Sequence, residues 1–204
     1  MNDPDPSSTP REPTRPRSAR APRVVTEAYL HKAALAYLER FQSSVAGVRR
    51  VLMRRVRRSV EAHGTDLAEA TGWVEALLLR YCRAGLLDDR VYAAAQIASQ
   101  HRRGASSRAI GARLAGKGID RATAAEVLDQ AAELRPGGDL AAAAALARRR
   151  RLGPYRDRTR RDDLYPKDLA TLARAGFDRA TADRVLRAAD TEALDALVAE
   201  AAEV

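Results

Sequence analysis

The sequence has very little of several residue types, and each shortage argues against a class of function. Its 204 residues include one cysteine, so no disulfide can form within the chain, and three widely separated histidines. One cysteine suits a reducing compartment, and we expect a cytoplasmic protein that binds no metal and no cofactor. Cys82 follows apolar residues on a predicted helix, which favours a buried, unreactive thiol. Aromatic residues make up only 4% of the chain, which suits closely packed helices.

Long apolar runs and catalytic motifs are also missing. The run Ala141–Ala145 is far shorter than the roughly 20 residues that span a bilayer, and no apolar signal segment opens the chain. We therefore expect no membrane contact. The glycines form no phosphate-binding loop and no nucleophile elbow. Neighbouring carboxylates at Asp88–Asp89 and Asp162–Asp163 diverge in space, so we expect no catalytic residues and no enzymatic activity.

Positive charge is abundant and concentrated in two stretches. Arg49–Arg58 holds six arginines and no acid, and Arg148–Arg161 holds eight arginines and one aspartate, so together they exceed the net charge of +9. Such concentration is typical of a surface that faces phosphate or an acidic partner, and a solvated helix face is the equally weighted alternative. The predicted partner- or DNA-binding residues are Arg148, Arg149, Arg150, Arg151, Arg156, Arg158, Arg160 and Arg161, followed by Arg49, Arg50, Arg54, Arg57 and Arg58.

The segment Gly85–Asp89, Gly-Leu-Leu-Asp-Asp, organises the pattern of helices. Gly85 can adopt the left-handed conformation that ends a helix, since it has no Cβ. Asp88 or Asp89 can then cap the next helix and stabilise its positive end. Leu86 and Leu87 are predicted to pack across this turn, as in a hydrophobic staple.

The order of glycine, apolar residue and aspartate recurs at Gly118–Asp120 and Gly176–Asp178. The longer stretches Gly118–Leu128 and Gly176–Leu186 are identical at eight of eleven positions and start 58 residues apart. Internal similarity at a fixed separation is the mark of a repeat architecture. The sequence therefore predicts a tandem helical repeat.

The predicted fold is all-α, with three-helix repeats in an elongated, curved array. A tail rich in proline and arginine is expected to be disordered. A long basic loop is expected in the last repeat, with the next helix beginning at Pro166. The predicted segments are the tail at 1–24, repeats at 25–86, 87–136 and 137–190, the loop at 152–164 and a capping helix at 191–204.

Three stretches, in order, resemble the RecX family. The first is Leu78–Ala93, which contains Gly85–Asp89 and Tyr92. The second stretch resembles the middle repeat of the family at Ile110, Leu114, Lys117, Gly118, Ile119 and Asp120. The third stretch, Arg148–Tyr155 with Leu169–Phe177, resembles the last repeat of the family. The resemblance extends over about Thr26 to Ala189.

This resemblance implies a regulator without catalytic activity. Members of the family consist of tandem three-helix repeats and bind the filament of the RecA recombinase, usually restraining it on single-stranded DNA. They lie along the filament groove and inhibit recombination, ATP hydrolysis and coprotease activity, which links them to DNA repair and the SOS response. We expect a monomer with RecA as its partner. The alternatives are direct, largely sequence-independent binding of single- or double-stranded DNA and an unrelated helical scaffold.

Overall fold

The structure, a computed structural model, describes residues 23–135 and 137–203. These residues form ten α-helices and two short 3-10 turns and contain no strand, which confirms the predicted all-α class. The predicted disordered tail lies outside the described residues except for Arg23 and Val24, which are both exposed.

The helices follow one another in three sets of three, with a tenth helix at the end. The first set comprises α1 (Glu27–Leu38), α2 (Val45–His63) and α3 (Leu67–Arg83). The second set comprises α4 (Asp89–Arg102), α5 (Ser107–Gly116) and α6 (Arg121–Leu134). The third set comprises α7 (Gly138–Arg150), α8 (Arg161–Arg174) and α9 (Arg179–Leu186), and α10 (Thr191–Glu203) follows it.

Side-chain caps explain where most of these helices begin. At the start of a helix the first backbone N–H groups have no partner within the helix, and a side-chain oxygen can accept from one of them. Such a bond is present at eight helix starts, where the capping residues are Thr26, Ser44, Asp66, Asp88, Ser106, Asp120, Asp178 and Asp190.

Each set of helices buries a hydrophobic cluster of its own. Burying a leucine or isoleucine side chain contributes about 1.5–3 kcal/mol, so these clusters dominate the stability of the fold. The fully or nearly fully buried centres are Leu30, Leu52 and Tyr81 in the first set, Ile97, Ile110 and Leu114 in the second, and Leu146, Leu172 and Leu194 in the third. Since Leu194 belongs to α10, the last helix packs on the third set.

The Gly85–Asp89 turn is close to its prediction, with one error. Gly85 has a φ of 70°, and Asp88 caps α4 by accepting from the N–H groups of Arg90 and Val91. Leu87 is buried, but Leu86 is 54% exposed, so its predicted packing across the turn is wrong. The physical reason is geometric, since the turn directs only one of two adjacent side chains toward the core.

Asp89 joins the first two sets instead of capping α4. Its Oδ1 accepts from the backbone N–H of Val45, at the start of α2, at 2.9 Å. The same bond recurs between the second and third sets, where Oδ1 of Asp139 accepts from the N–H of Ser107 at 2.8 Å. We call these two contact regions the first joint and the second joint.

A second hydrogen bond also recurs in both joints. The buried Ser44 donates from Oγ to the carbonyl of Lys117 at 2.7 Å, and the buried Ser106 donates to the carbonyl of Ala175 at 2.8 Å. In each joint the serine caps the second helix of one set, and the carbonyl ends the second helix of the next set. The joints therefore have the same construction.

Glycine is required immediately after each of these carbonyls. Gly118 and Gly176 have φ values of 84° and 93°, in the region that favours glycine. A Cβ at Gly118 would overlap the side chain of Ala46, and one at Gly176 would lie 2.5 Å from Oγ of Ser106. The two glycines end a helix and also permit close approach of the neighbouring set.

The predicted basic loop at 152–164 is largely turn and helix. Two 3-10 turns, Gly153–Tyr155 and Arg158–Arg160, lead directly into α8 at Arg161. The predicted start at Pro166 is therefore wrong, and Pro166 lies inside α8. Asp162 and Asp163 in the first turn of α8 favour the earlier start, since carboxylates stabilise the positive end of a helix.

Cys82 is exposed, so its predicted burial is wrong. It lies near the end of α3, one turn before the exposed Leu86. Partial burial and the carboxylates of Asp89 and Asp88 raise the pKa of the Cys82 thiol. A raised pKa lowers the thiolate fraction, which makes this cysteine a poor nucleophile.

Candidate functional site

The earlier arginine stretch forms one exposed face of α2, which we call the α2 arginine face: Arg49, Arg50, Arg54, Arg57 and Arg58. The opposite side of α2 buries Val48, Leu52 and Val56 in the first cluster. Arg49 pairs with Glu75 at 2.5 Å, and the other four make no ion pair with any described residue.

Helix stability does not explain this spacing of charge. Arg50, Arg54 and Arg58 succeed one another at intervals of four, so like charges are neighbours along the helix. Each such pair costs a helix about 0.2–0.5 kcal/mol. An anionic partner would relieve this repulsion, which makes the α2 arginine face a candidate binding surface.

The later stretch is divided between exposed and structural arginines. Arg148, Arg149 and Arg150 occupy the last turn of α7, and the exposed Arg151 caps it with a φ of 54°. Cations at the end of a helix are stabilised by its negative end. In the turn that follows, Arg158 and Arg160 are exposed.

Arg156 and Arg161 serve the fold. Arg156 donates from Nε and Nη2 to the two carboxylate oxygens of Asp168, at 2.7 and 2.8 Å. Arg161 donates from Nη1 to the carbonyls of Ala188 and Ala189, which closes the end of the third set. Of the eight arginines predicted in the later stretch, three have guanidinium groups bonded within the molecule: these two and Arg149, which donates to the carbonyl of Arg103.

The carboxyl group of Asp168 is buried beneath Arg156, and its bonds there lower its pKa. Its side chain is only 2% exposed and also accepts from the N–H of Gly153 at 3.0 Å. Burial alone would raise the pKa of Asp168, but the bonds from Arg156 and Gly153 outweigh burial and lower the pKa below its ordinary value. The ionised carboxylate therefore fixes the turn between α7 and α8.

Arg149 and Arg150 also line a cleft at the second joint that the sequence does not reveal. Its other arginines are Arg103, Arg113 and Arg174, and no carboxylate from the described part of the chain lines it. We call this set of five residues the joint arginine cleft. They come from the end of α4, from α5, α7 and α8, and no spacing along the chain could have brought them together.

His101, Ser107 and Asp139 meet elsewhere in this joint, outside the cleft. Nε2 of His101 lies 3.1 Å from Oγ of Ser107 and 3.4 Å from Oδ1 of Asp139. In a catalytic triad the serine and the carboxylate contact opposite nitrogens of the ring, so this cluster lacks that geometry. Burial opposes ionisation of Asp139, but the contacts with His101 and Ser107 lower its pKa. The cluster stabilises the joint.

Within the described chain, no three His, Cys, Asp or Glu side chains group in a way that could hold a metal ion. None of the helices described is both long and apolar enough to cross a bilayer.

These features define a class of protein: an all-helical repeat protein with matching joints and exposed basic surfaces. A family model described as "RecX, second three-helix domain" matches residues 88–128, which lie in the second set of helices. Two relatives named "Regulatory protein RecX" are similar over 83% of the chain. One, from Myxococcus xanthus (strain DK1622), is 40% identical over 90% of its own length. The other, from Agrobacterium fabrum (strain C58 / ATCC 33970), is 30% identical over 88% of its length.

The chain belongs to the RecX family, as its motifs predicted. A third relative with the same name, from Thermobifida fusca (strain YX), is 35% identical over 56% of this chain and 60% of its own length. No solved structure shows a significant match. The relatives carry the name of a regulatory protein, which assigns this chain a regulatory role.

Proposed function

We propose that this chain binds the filament of a RecA-type recombinase in the cytoplasm and inhibits or modulates its recombination, ATP hydrolysis and coprotease activities. The observation that carries the proposal is membership of the RecX family along most of the chain. The protein would act by binding alone and would need no chemistry of its own.

The exposed arginines supply a physical basis for such binding. Four members of the α2 arginine face, together with Arg148, Arg151, Arg158 and Arg160, make no ion pair with a described carboxylate. Unpaired surface charge raises the rate of encounter with a surface of opposite sign and fixes the orientation of the complex. Acidic surfaces of the recombinase, the DNA that it covers, or both would be the counterparts.

The construction of the joints supports the same proposal. Both use a serine-to-carbonyl bond and an aspartate-to-amide bond between corresponding helices. Identical contacts between successive units produce an extended array with a continuous surface. Such a surface suits a partner that itself repeats along a helical filament.

The test is ATP hydrolysis by RecA on single-stranded DNA, titrated with the purified chain from well below one molecule per RecA monomer. We expect inhibition at low ratios that persists when DNA is added in excess. Unchanged hydrolysis and unchanged strand exchange at equal concentrations would disprove the proposal.

Direct DNA binding is the second candidate function, and the unpaired arginines favour it as well. Phosphate contacts by arginine give binding that depends steeply on salt and little on sequence. In the same titration, competition for the strand would produce inhibition that excess DNA relieves. That result would place direct DNA binding first.

A further inference from the structure

The joint arginine cleft is the most concentrated charged feature of the second joint. We propose that it is a phosphate-binding site, which takes the phosphate groups of a free nucleotide or of a single-stranded nucleic acid. The inference goes beyond recombinase binding, because it concerns a ligand that the chain would bind without a recombinase. Three of the five arginines of this site also lie outside the two basic stretches of the sequence.

The charge balance of the cleft points to an anion. Its lining includes Arg103, Arg113, Arg149, Arg150 and Arg174 and contains, among the residues that the structure describes, no aspartate or glutamate. None of the five arginines forms an ion pair with a carboxylate in the described ranges. Like charges gathered in one concavity repel one another, and the repulsion is stronger beside low-dielectric walls than in water. A bound polyanion would remove this cost.

Neutral contacts hold several of these guanidinium groups in place. Arg149 donates from Nη1 to the carbonyl of Arg103 at 2.7 Å, and Arg113 donates from Nη1 to Oε1 of Gln100 at 2.7 Å. Each bond uses one of the five N–H donors of a guanidinium, so the others remain for a ligand. Arginines positioned before binding lose less conformational entropy when the ligand arrives.

The floor of the cleft is backbone packed on backbone. Gly104 is buried with a φ of 78°, and a Cβ there would lie 2.9 Å from the N of Leu146 and 3.0 Å from the O of Ala142. The turn after α4 therefore rests directly on α7. This contact fixes the turn after α4 relative to α7. The arginines on α5, α7 and α8 therefore surround a defined space of about 640 Å³.

Phosphate fits this site better than a carboxylate does. Five positive charges call for a ligand with several negative charges at close spacing, which a triphosphate or a phosphodiester chain provides. Guanidinium groups bind phosphate oxygens through paired N–H donors. The side-chain amides of Gln96 and Gln100 add neutral N–H donors around the same space. A peptide carries one carboxylate per acidic residue and is the less suitable ligand.

The experiment measures binding to the full chain without recombinase. The probes are fluorescent oligothymidylate, ATP and inorganic tripolyphosphate, followed by anisotropy or calorimetry at several salt concentrations. The test variant is Arg150→Gln with Arg174→Gln, because neither side chain bonds across the joint. The matched control is Arg83→Gln with Arg121→Gln, which removes the same charge from exposed positions outside the cleft.

We expect the test variant to bind about ten-fold or more weakly, while the control keeps most of its affinity. For oligothymidylate, the slope of log K against log salt should fall by about 1.4, since each lost single-strand phosphate contact contributes about 0.7. Binding of ATP and tripolyphosphate would identify a nucleotide site, and binding of oligothymidylate alone would identify a site for the nucleic-acid backbone.

Three results would overturn the inference: no phosphate probe binds, the control loses as much affinity as the test variant, or polyglutamate binds better than every phosphate probe. Thermal unfolding of both variants shows whether either has lost its fold, and the single variant Arg150→Gln replaces the pair if so. ATP hydrolysis by RecA is measured in a separate experiment. A failure to bind phosphate would therefore not decide whether the chain binds the recombinase.

Discussion

At the scale of single residues, the two glycines after the joint carbonyls carry the most specific requirement. The sequence predicted Gly118 and Gly176 as helix ends. It gave no sign that a neighbouring set of helices presses against them, because that contact depends on residues more than 60 positions away. The role of Asp89 is ambiguous in the sequence for a similar reason. The residue type fits a local cap on α4 and a contact with the distant α2 equally well.

Gly118→Ala should destabilise the chain by about 1–3 kcal/mol, because the new Cβ overlaps Ala46 and the φ is unfavourable for alanine. Gly116→Ala is the matched control. Gly116 ends α5 with open space around it, so alanine there should be neutral or stabilise by about 0.5–1 kcal/mol. Urea unfolding measures both, and equal effects would contradict the close approach.

Asp168→Asn should destabilise the chain by about 3 kcal/mol near neutral pH. This value is at the low end for breaking a buried ion pair, because the side chain of Arg156 is 26% exposed. The lowered pKa of Asp168 means that its carboxylate stabilises the fold above the unfolded pKa of about 3.9. That contribution is lost as the pH falls through the native pKa.

The difference between Asp168→Asn and the unchanged chain should therefore shrink in acid. Unfolding measured from neutral pH down to the acid range checks this. The control is Asp129→Asn at an exposed position in the middle of α6, which should behave like the unchanged chain. A difference for Asp168→Asn that stays constant with pH would argue against the ion pair.

At the scale of helices, caps and cores were predictable and one helix start was not. Thr26, Asp120 and Asp178 cap helices as their residue types suggest, since their contacts are local. The sequence predicts that α8 starts at Pro166, because proline favours the first turn of a helix. The carboxylates of Asp162 and Asp163 and the preceding 3-10 turn start the helix earlier, and the weight of such competing signals cannot be read from the residue types alone.

Ser106→Ala removes two interactions, the cap on α5 and the bond to the carbonyl of Ala175. We expect a loss of about 2–3 kcal/mol, since a lost cap costs about 1 kcal/mol and the part-buried carbonyl of Ala175 loses its partner. Thr26→Ala is the control, because Thr26 caps α1 at an exposed position, and it should cost about 1 kcal/mol. Equal losses in denaturant unfolding would contradict the role of Ser106 in the second joint.

At the scale of the whole molecule, the family and the all-α class could be predicted, and the joint arginine cleft could not. The order and spacing of the glycine–aspartate motifs identified the repeat. Each motif lies within a few consecutive residues, so it can be read directly from the sequence. The cleft joins arginines from three helices and from the turn after α4, and its existence depends on how the second and third sets pack. Charge counted along the chain therefore found Arg149 and Arg150 but missed Arg103, Arg113 and Arg174.

Charge reversal on the α2 arginine face should separate binding from stability. Arg54→Glu with Arg58→Glu turns the like-charge pair at positions 50 and 54 into an opposite-charge pair but leaves a like-charge pair at positions 54 and 58, so stability should change little. Inhibition of RecA should require about ten-fold more protein, since attraction becomes repulsion at the contact. Arg83→Glu with Arg121→Glu is the control, and equal weakening by both pairs would indicate a general effect of net charge.

Direct binding to preassembled filaments tests the central claim most closely. RecA is assembled on single-stranded DNA with a non-hydrolysable ATP analogue, and the labelled chain is sedimented with the filaments in excess competing DNA. We predict saturable co-sedimentation that competing DNA does not remove. A chain that stays in the supernatant, or that follows the competing DNA, would contradict a regulator that acts on the recombinase filament.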